Sequence, residues 1–227
     1  MLKLYIGNKN YSSWSMRPWV LMRQSGISFE EVMLRFDSFE AGSSFKQQVL
    51  ALSPAGKVPL LVDDGLVIWD SLAICEYLAE RFPDKHLWPQ NGTQRARARS
   101  LVAEMHSSFN ALRRLCPMNI EAQLHEVGAK LWTENADLRT DVQRLEALWE
   151  PQLAAASGPM LFGHFSVADA FFAPVCMRLN SYGLPTSHAV RAYVQRICLL
   201  PAIQEWVQGA LAEQDFLPFE EPYRDKR

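Results

Sequence analysis

The sequence has no apolar run close to the roughly 18 residues that a membrane-spanning helix needs, so no membrane partner is expected. Its first residues, Met1 to Gly7, lack the extended apolar core and cleavage site of a secretory signal, and a cytoplasmic location is the expectation. Cysteine is sparse. Cys75, Cys116, Cys176 and Cys198 are scattered and form no CxxC pair, which argues for reduced thiols rather than a disulfide framework. The five histidines are equally dispersed, and none forms the i, i+4 pair of a helical metal site, so no metal is expected. Neither sign of charge dominates: 23 Lys and Arg against 25 Asp and Glu leave a formal −2, with no basic face to suggest nucleic acid. Arg95, Arg97 and Arg99 alternate, which spreads them around a helix instead of along one stripe.

What is present is the composition of a soluble globular chain, 48% hydrophobic and 21% charged over 227 residues, a length suited to two domains sharing an interface. Leu2, Leu4 and Ile6 alternate as in a short strand. A polar run, Asn8 to Ser15, leads into a helix from Met16 to Gln24, with Pro18 in its first turn and Gly26 closing it. Phe29 to Phe36 reads as a second strand, completing a parallel crossover. After a short helix, Leu60-Leu61-Val62 and Leu66-Val67-Ile68 flank Asp64-Gly65, a strong hairpin signal. Asp70-Ser71 opens an amphipathic helix that ends at Phe82-Pro83. The order β-α-β-α-β-β-α is that of a thioredoxin-like domain, assigned to residues 1–83. Residues 84–92, rich in turn formers, read as a linker. From 93 to 227 strand signals vanish, and an all-α domain is expected, with helices near 93–115, 138–155, 167–180, 189–199 and 202–213.

Three places in the first domain carry chemical potential. Ser12, Ser13 and Ser15, between the first strand and first helix, can cap the helix or donate a hydrogen bond to a bound sulfur, with the helix dipole favouring the thiolate. Val58-Pro59 at a strand start either marks an edge strand or, with a cis proline, turns the Val58 amide and carbonyl toward a peptide ligand. Asp70-Ser71 either caps its helix or offers free amides and a hydroxyl to a carboxylate. Ser166-Val167-Ala168-Asp169 is a capping box and is assigned to folding.

With these residues in view, the whole chain resembles the cytosolic glutathione transferases. Ser12-Ser13-Trp14-Ser15-Met16-Arg17, Leu52-Ser53-Pro54, Lys57-Val58-Pro59, Asp70-Ser71-Leu72-Ala73-Ile74, Glu76-Tyr77-Leu78 and Ser166-Val167-Ala168-Asp169 recur in order, most like the serine-type zeta branch. The resemblance implies glutathione as co-substrate, a homodimer, and an apolar pocket for an electrophilic small molecule between the domains. It implies Ser12 as the thiol-activating hydroxyl, with Ser13 its rival and Ser15 supporting the helix start. It also implies glutathione contacts at Ser44, Lys57, Val58, Asp70 and Ser71. Trp14 stands where that branch has a cysteine, which removes a protein thiolate from the motif. Trp14, Met105 and Phe109 are expected in the acceptor pocket. Readings of another kind are a glutathione-dependent isomerase of maleylacetoacetate type, a dehalogenase, and a non-catalytic binding protein on the same fold.

Overall fold

The computed structural model describes all 227 residues. Four short strands form one sheet in the order β2-β1-β3-β4: β1 (Lys3–Ile6), β2 (Glu30–Met33), β3 (Leu60–Asp63) and β4 (Leu66–Trp69). β1 runs parallel to β2, in register Lys3 with Glu30, and antiparallel to β3, while β3 and β4 form an antiparallel hairpin. The hairpin turns at Asp64 and Gly65, both at positive φ (46° and 91°), the twist a two-residue turn needs. Period-two burial holds along β1, where Leu4 and Ile6 are fully buried and Lys3 and Tyr5 are not. Helices α1 (Ser13–Gln24), α2 (Ser44–Leu52) and α3 (Ser71–Arg81) complete a thioredoxin-like N-terminal domain, as the sequence order anticipates.

The remaining elements are helical: α4 (Gly92–Ser107), α5 (Asn110–Leu115), α6 (His125–Glu134), α7 (Ala136–Ala155), α8 (Val167–Ser181), α9 (His188–Cys198) and α10 (Pro201–Glu213), with a final single turn at Pro218–Glu220. α8 is the central strut. It is buried along nearly its whole length and packs on α1, α4 and α9. Leu21, Ile74, Val102 and Phe171 all belong to one continuous apolar core that crosses from the sheet side into the helices. Burial at about 25 cal/mol per Å² makes this seam a main source of stability rather than a loose linker contact.

Three expectations change. The second strand is shorter than Phe29–Phe36, because Leu34 N–H still donates to Ile6 O (2.8 Å) but Phe36 N–H then turns to the side chain of Asn8 (2.8 Å). The first helix starts at Ser13, not Met16, so Pro18 lies in its interior. The helix expected over 93–115 breaks at Phe109, which takes a left-handed conformation (φ 62°) and buries its ring. Nothing in the local sequence marks that break. Burial of a large ring outweighs the backbone cost of about 1 kcal/mol.

Candidate functional site

A cavity of about 930 Å³ lies where the loop before α1, the turn before β3 and the start of α3 face the helical half. Asn8, fully buried, fixes the first of these walls. Its carbonyl accepts from Tyr11 N–H (3.1 Å) and Ser12 N–H (2.8 Å), and its side-chain amide donates to Asp215 (2.6 Å). Asn10 ties the same loop to the helical half by accepting from Ile120 N–H and Glu121 N–H, both at 2.9 Å.

Ser12 occupies the N-cap of α1, yet its hydroxyl makes no capping bond. It lies instead 2.7 Å from the Ser15 hydroxyl, which accepts from Gly7 N–H at 3.2 Å. Ser15 Oγ accepts from both the Ser12 hydroxyl and Gly7 N–H, so the Ser12 oxygen borders the cavity while its O–H is turned to Ser15. The amides of Trp14 and Ser15 have no acceptor within the protein, so the positive end of α1 faces the same space. Ser13 also lines the cavity and accepts from Arg178 Nη2 at 3.2 Å.

The Val58–Pro59 peptide is cis, and neither the N–H nor the carbonyl of Val58 has a hydrogen-bond partner in the protein. Asp70 takes a positive φ of 73°, a conformation that costs a non-glycine residue roughly 1–3 kcal/mol, at the N-cap of α3. One of its carboxylate oxygens accepts from Leu72 and Ala73 N–H, and the other meets His106 Nε2 at 3.1 Å. The amide of Ser71 is left without an acceptor. Lys46 and Lys57 line the same side, Lys46 donating to the Gly56 carbonyl (2.8 Å).

Seven of the residues singled out in the sequence therefore share one cavity: Ser12, Ser13, Trp14, Lys57, Val58, Asp70 and Ser71. Ser15 lies just behind it, fully buried. The other three lie elsewhere. Ser44 is exposed at the start of α2, its hydroxyl accepting from Gln48, and its neighbours Phe45 and Lys46 reach the cavity instead. Met105 and Phe109 are corrected from pocket to core. They are 1% and 3% exposed and belong to the main apolar core, Met105 on the same inner face of α4 as Ala98, Leu101 and Val102.

The sequence reading missed the charged half of the site. Arg113 and Arg178 come from the helical side, and Glu220 from the terminal turn. Arg17 lies behind Trp14, 1% exposed, with its guanidinium 4.1 Å from the Trp14 ring and 4.6 Å from that of Phe171. Burial, then the nearby Arg113 and Arg178 charges, push the Arg17 pKa well below its ordinary value. The pKa of His106, edge-on to Trp14 at 5.3 Å, is lowered chiefly by burial, against the opposite pull of Asp70. Burial and the neighbouring Glu221 charge raise the Glu220 carboxyl to about 7. Arg17 has its place in the serine motif. Arg178 reaches the site from a segment 62 positions from its acceptor Cys116 and 165 from Ser13.

Such a fold and cleft define a two-domain protein of thioredoxin type whose sheet-side wall offers unpaired backbone groups to a peptide-like ligand. Residues 11–81 match the family model for the glutathione S-transferase N-terminal domain. The chain is 36% identical over 189 residues to a probable maleylacetoacetate isomerase of Caenorhabditis elegans, covering 81% of each, and 30% identical over 186 residues to glutathione S-transferase 1 of Dianthus caryophyllus, covering 81% of this chain and 80% of that one. A glutathione transferase homologue from Burkholderia, solved with bound glutathione, superposes with a TM-score of 0.68 at 26% identity, over 93% of this chain and 98% of that one. The chain belongs to the glutathione S-transferase family.

Proposed function

We propose that this protein binds glutathione along the sheet-side wall of the cavity and activates its thiol for attack on an electrophilic small molecule. The observation that carries this reading is the convergence of three unpaired sets of backbone groups on one cavity: the α1 amides beside Ser12, the Val58 N–H and carbonyl, and the Ser71 amide. The backbone of Val58 suits the extended cysteinyl portion of the peptide. Ser71 N–H and its hydroxyl suit the γ-glutamyl carboxylate, and Asp70 the adjacent ammonium. Lys57 suits the glycine carboxylate. Ser44, exposed and turned to Gln48, is the weakest of the proposed contacts.

A free thiol titrates near 8.5, so about two units of lowering requires roughly 2.7 kcal/mol of preference for the thiolate. A hydroxyl hydrogen bond to an anion contributes roughly 1.5–3 kcal/mol and a helix terminus ~0.3–1. Ser12, on turning its O–H from Ser15 to the sulfur, together with the start of α1 would supply that amount. The thiolate sulfur then forms a bond to the electrophilic carbon, the leaving group departs with the bonding pair, and the thiol proton passes to water. Glutathione-dependent isomerisation is a second reading, supported by the Caenorhabditis elegans relative, and would use the same thiolate. The same reading places a linker at 84–92 between the domains and includes assembly as a homodimer in the cytoplasm.

The test is calorimetric titration of glutathione into the wild type and Ser12→Ala, with thiolate absorbance followed from pH 5 to 9. Both proteins should bind, and the bound thiol should titrate about 1–2 units higher in the variant. If the wild type fails to bind glutathione, the reading is lost. An unshifted thiol titration in Ser12→Ala would transfer the role to Ser13.

A further inference from the structure

Two contacts join α3 of the sheet half to α4 of the helical half, and they run in antiparallel order. Arg99 on α4 grips Glu76 on α3 through Nε–H and one Nη2–H, both at 3.1 Å. His106 stands about two turns further along α4, and its Nε2 lies 3.1 Å from Oδ2 of Asp70, at the N-cap of α3. The His106 ring is confined on several sides. It is edge-on to Trp14 at 5.3 Å and tilted against Phe171 at 6.2 Å, and its backbone carbonyl accepts from Arg113 Nη2 at 3.3 Å. Its Nδ1 is buried with no partner. An orphaned ring nitrogen costs stability that a phenylalanine in the same place would not, so packing alone does not account for a histidine here.

We infer that His106 is a positioning residue for glutathione: from the helical half it holds the Asp70 carboxylate in the orientation that meets the γ-glutamyl ammonium. This deepens the proposed transferase reading and rests on it. One oxygen of Asp70 is fixed by the amides of Leu72 and Ala73, and His106 fixes the other, so the plane of the carboxylate is set from two sides. A carboxylate oxygen only accepts, so Nε2 carries the proton in this pair, and Oδ2 keeps a lone pair for a second donor. The side chain of Asp70 is 43% exposed, and without His106 its free oxygen would turn toward solvent. An ammonium that finds the anion already oriented gives up less of its binding energy to ordering. The positive φ of Asp70 fits the same account, since strained backbone persists where its surroundings over-determine it. His106 does not itself line the cavity, so it acts through Asp70.

The experiment is calorimetric titration of glutathione and of glutaryl-cysteinyl-glycine, which lacks only the α-amino group, into the wild type and three variants. His106→Phe keeps a ring between Trp14 and Phe171 but has no donor. His106→Asn stays polar but is too short to reach Asp70, and the amide nitrogen of His106→Gln extends to about where Nε2 stands. Thermal unfolding confirms that each variant is folded. The wild type should bind glutathione about tenfold or more tighter than the deamino analogue. The Phe and Asn variants should lose about tenfold for glutathione and less than about twofold for the analogue, while His106→Gln stays within about threefold of the wild type. Equal losses for the two ligands, or no loss in the Phe and Asn variants, overturn the role of His106. Equal wild-type affinity for the two ligands overturns it as well, leaves the transferase reading standing and needs no variant. A wild type that binds neither ligand sinks both.

Discussion

Ser12 stands at an N-cap without capping, and that is the feature of the site that a residue-by-residue view explains best. Its hydroxyl donates to Ser15 rather than accepting from the helix, and Ser15 Oγ accepts from Gly7 N–H as well, which holds the Ser12 oxygen at the cavity edge. The three serines were legible as a group because polar residues at a strand-to-helix junction are visible in sequence. Which of them caps was not legible, since that depends on where the helix begins. Glu220 gives a sharper prediction at this scale. Its folded pKa is raised from 4.5 to about 7, so between those values the native state holds a proton that the unfolded chain has lost. Stability therefore falls as pH rises through that window, and the deficit is full above it. At about 1.4 kcal/mol per unit, the rise from 4.5 to about 7 is worth roughly 3.5 kcal/mol before solvent screening of this half-buried group, so Glu220→Gln should stabilise the protein by about 2 kcal/mol at pH 8 and by nearly nothing at pH 4. Urea unfolding at the two pH values checks this, and a pH-independent difference would refute it.

At the scale of elements, the start of α8 is the clearest case of sequence dictating structure. Ser166 and Asp169 form the expected capping box, but Asp169 does more than cap. Fully buried, it accepts from Ser166 N–H and O–H (both 3.0 Å), Leu161 N–H (3.2 Å) and the Tyr193 hydroxyl (2.9 Å), joining α8, α9 and the loop before them. Asp169→Ala would leave those donors buried without an acceptor and should cost about 3–4 kcal/mol, read as a lower urea midpoint at unchanged slope. An effect below 1 kcal/mol would mean that water replaces the carboxylate. Gly128 on α6 was not legible in this way. A Cβ there would meet the Tyr182 carbonyl at 1.8 Å, so the backbone of α6 approaches the end of α8 as closely as glycine alone permits. Gly128→Ala should therefore cost more than about 2 kcal/mol despite alanine's better helix propensity, and thermal unfolding of the variant is the measurement.

The whole molecule is closed by its last residues. Asp215 pairs with Arg35 and accepts from Asn8, the Tyr11 hydroxyl donates to Glu221 (2.7 Å), Asn119 donates to Glu221 (2.9 Å), and Phe219 meets Phe39 edge to face at 5.2 Å. This strap holds the loop bearing Ser12 from outside and completes the cavity wall with Glu220. A chain ending at Gln214 should lose amide-exchange protection over residues 11–14 and bind glutathione at least several-fold more weakly; unchanged protection there would show that the loop is held by Asn8 and Asn10 alone. The proposed homodimer should sediment at twice the chain mass of 25.9 kDa, and a monomer at micromolar concentration would exclude that assembly.

Local rules settled much of this protein before any packing was considered. Period-two strands, the Asp64-Gly65 turn, the capping residues at Asp70 and Ser166, and the order of elements all follow from interactions within a few positions, which the sequence displays directly. The serine, valine–proline and aspartate–serine segments were legible for the same reason, since each lies at an element boundary. Tertiary structure alone decided the break at Phe109, the burial of Met105 in the core rather than at the cavity, and the meeting of Arg113, Arg178 and Glu220 with Ser12 at one cavity. Those depend on burial of side chains from distant segments and on the electrostatics of a shared low-dielectric cleft, neither of which has a period or a spacing along the chain.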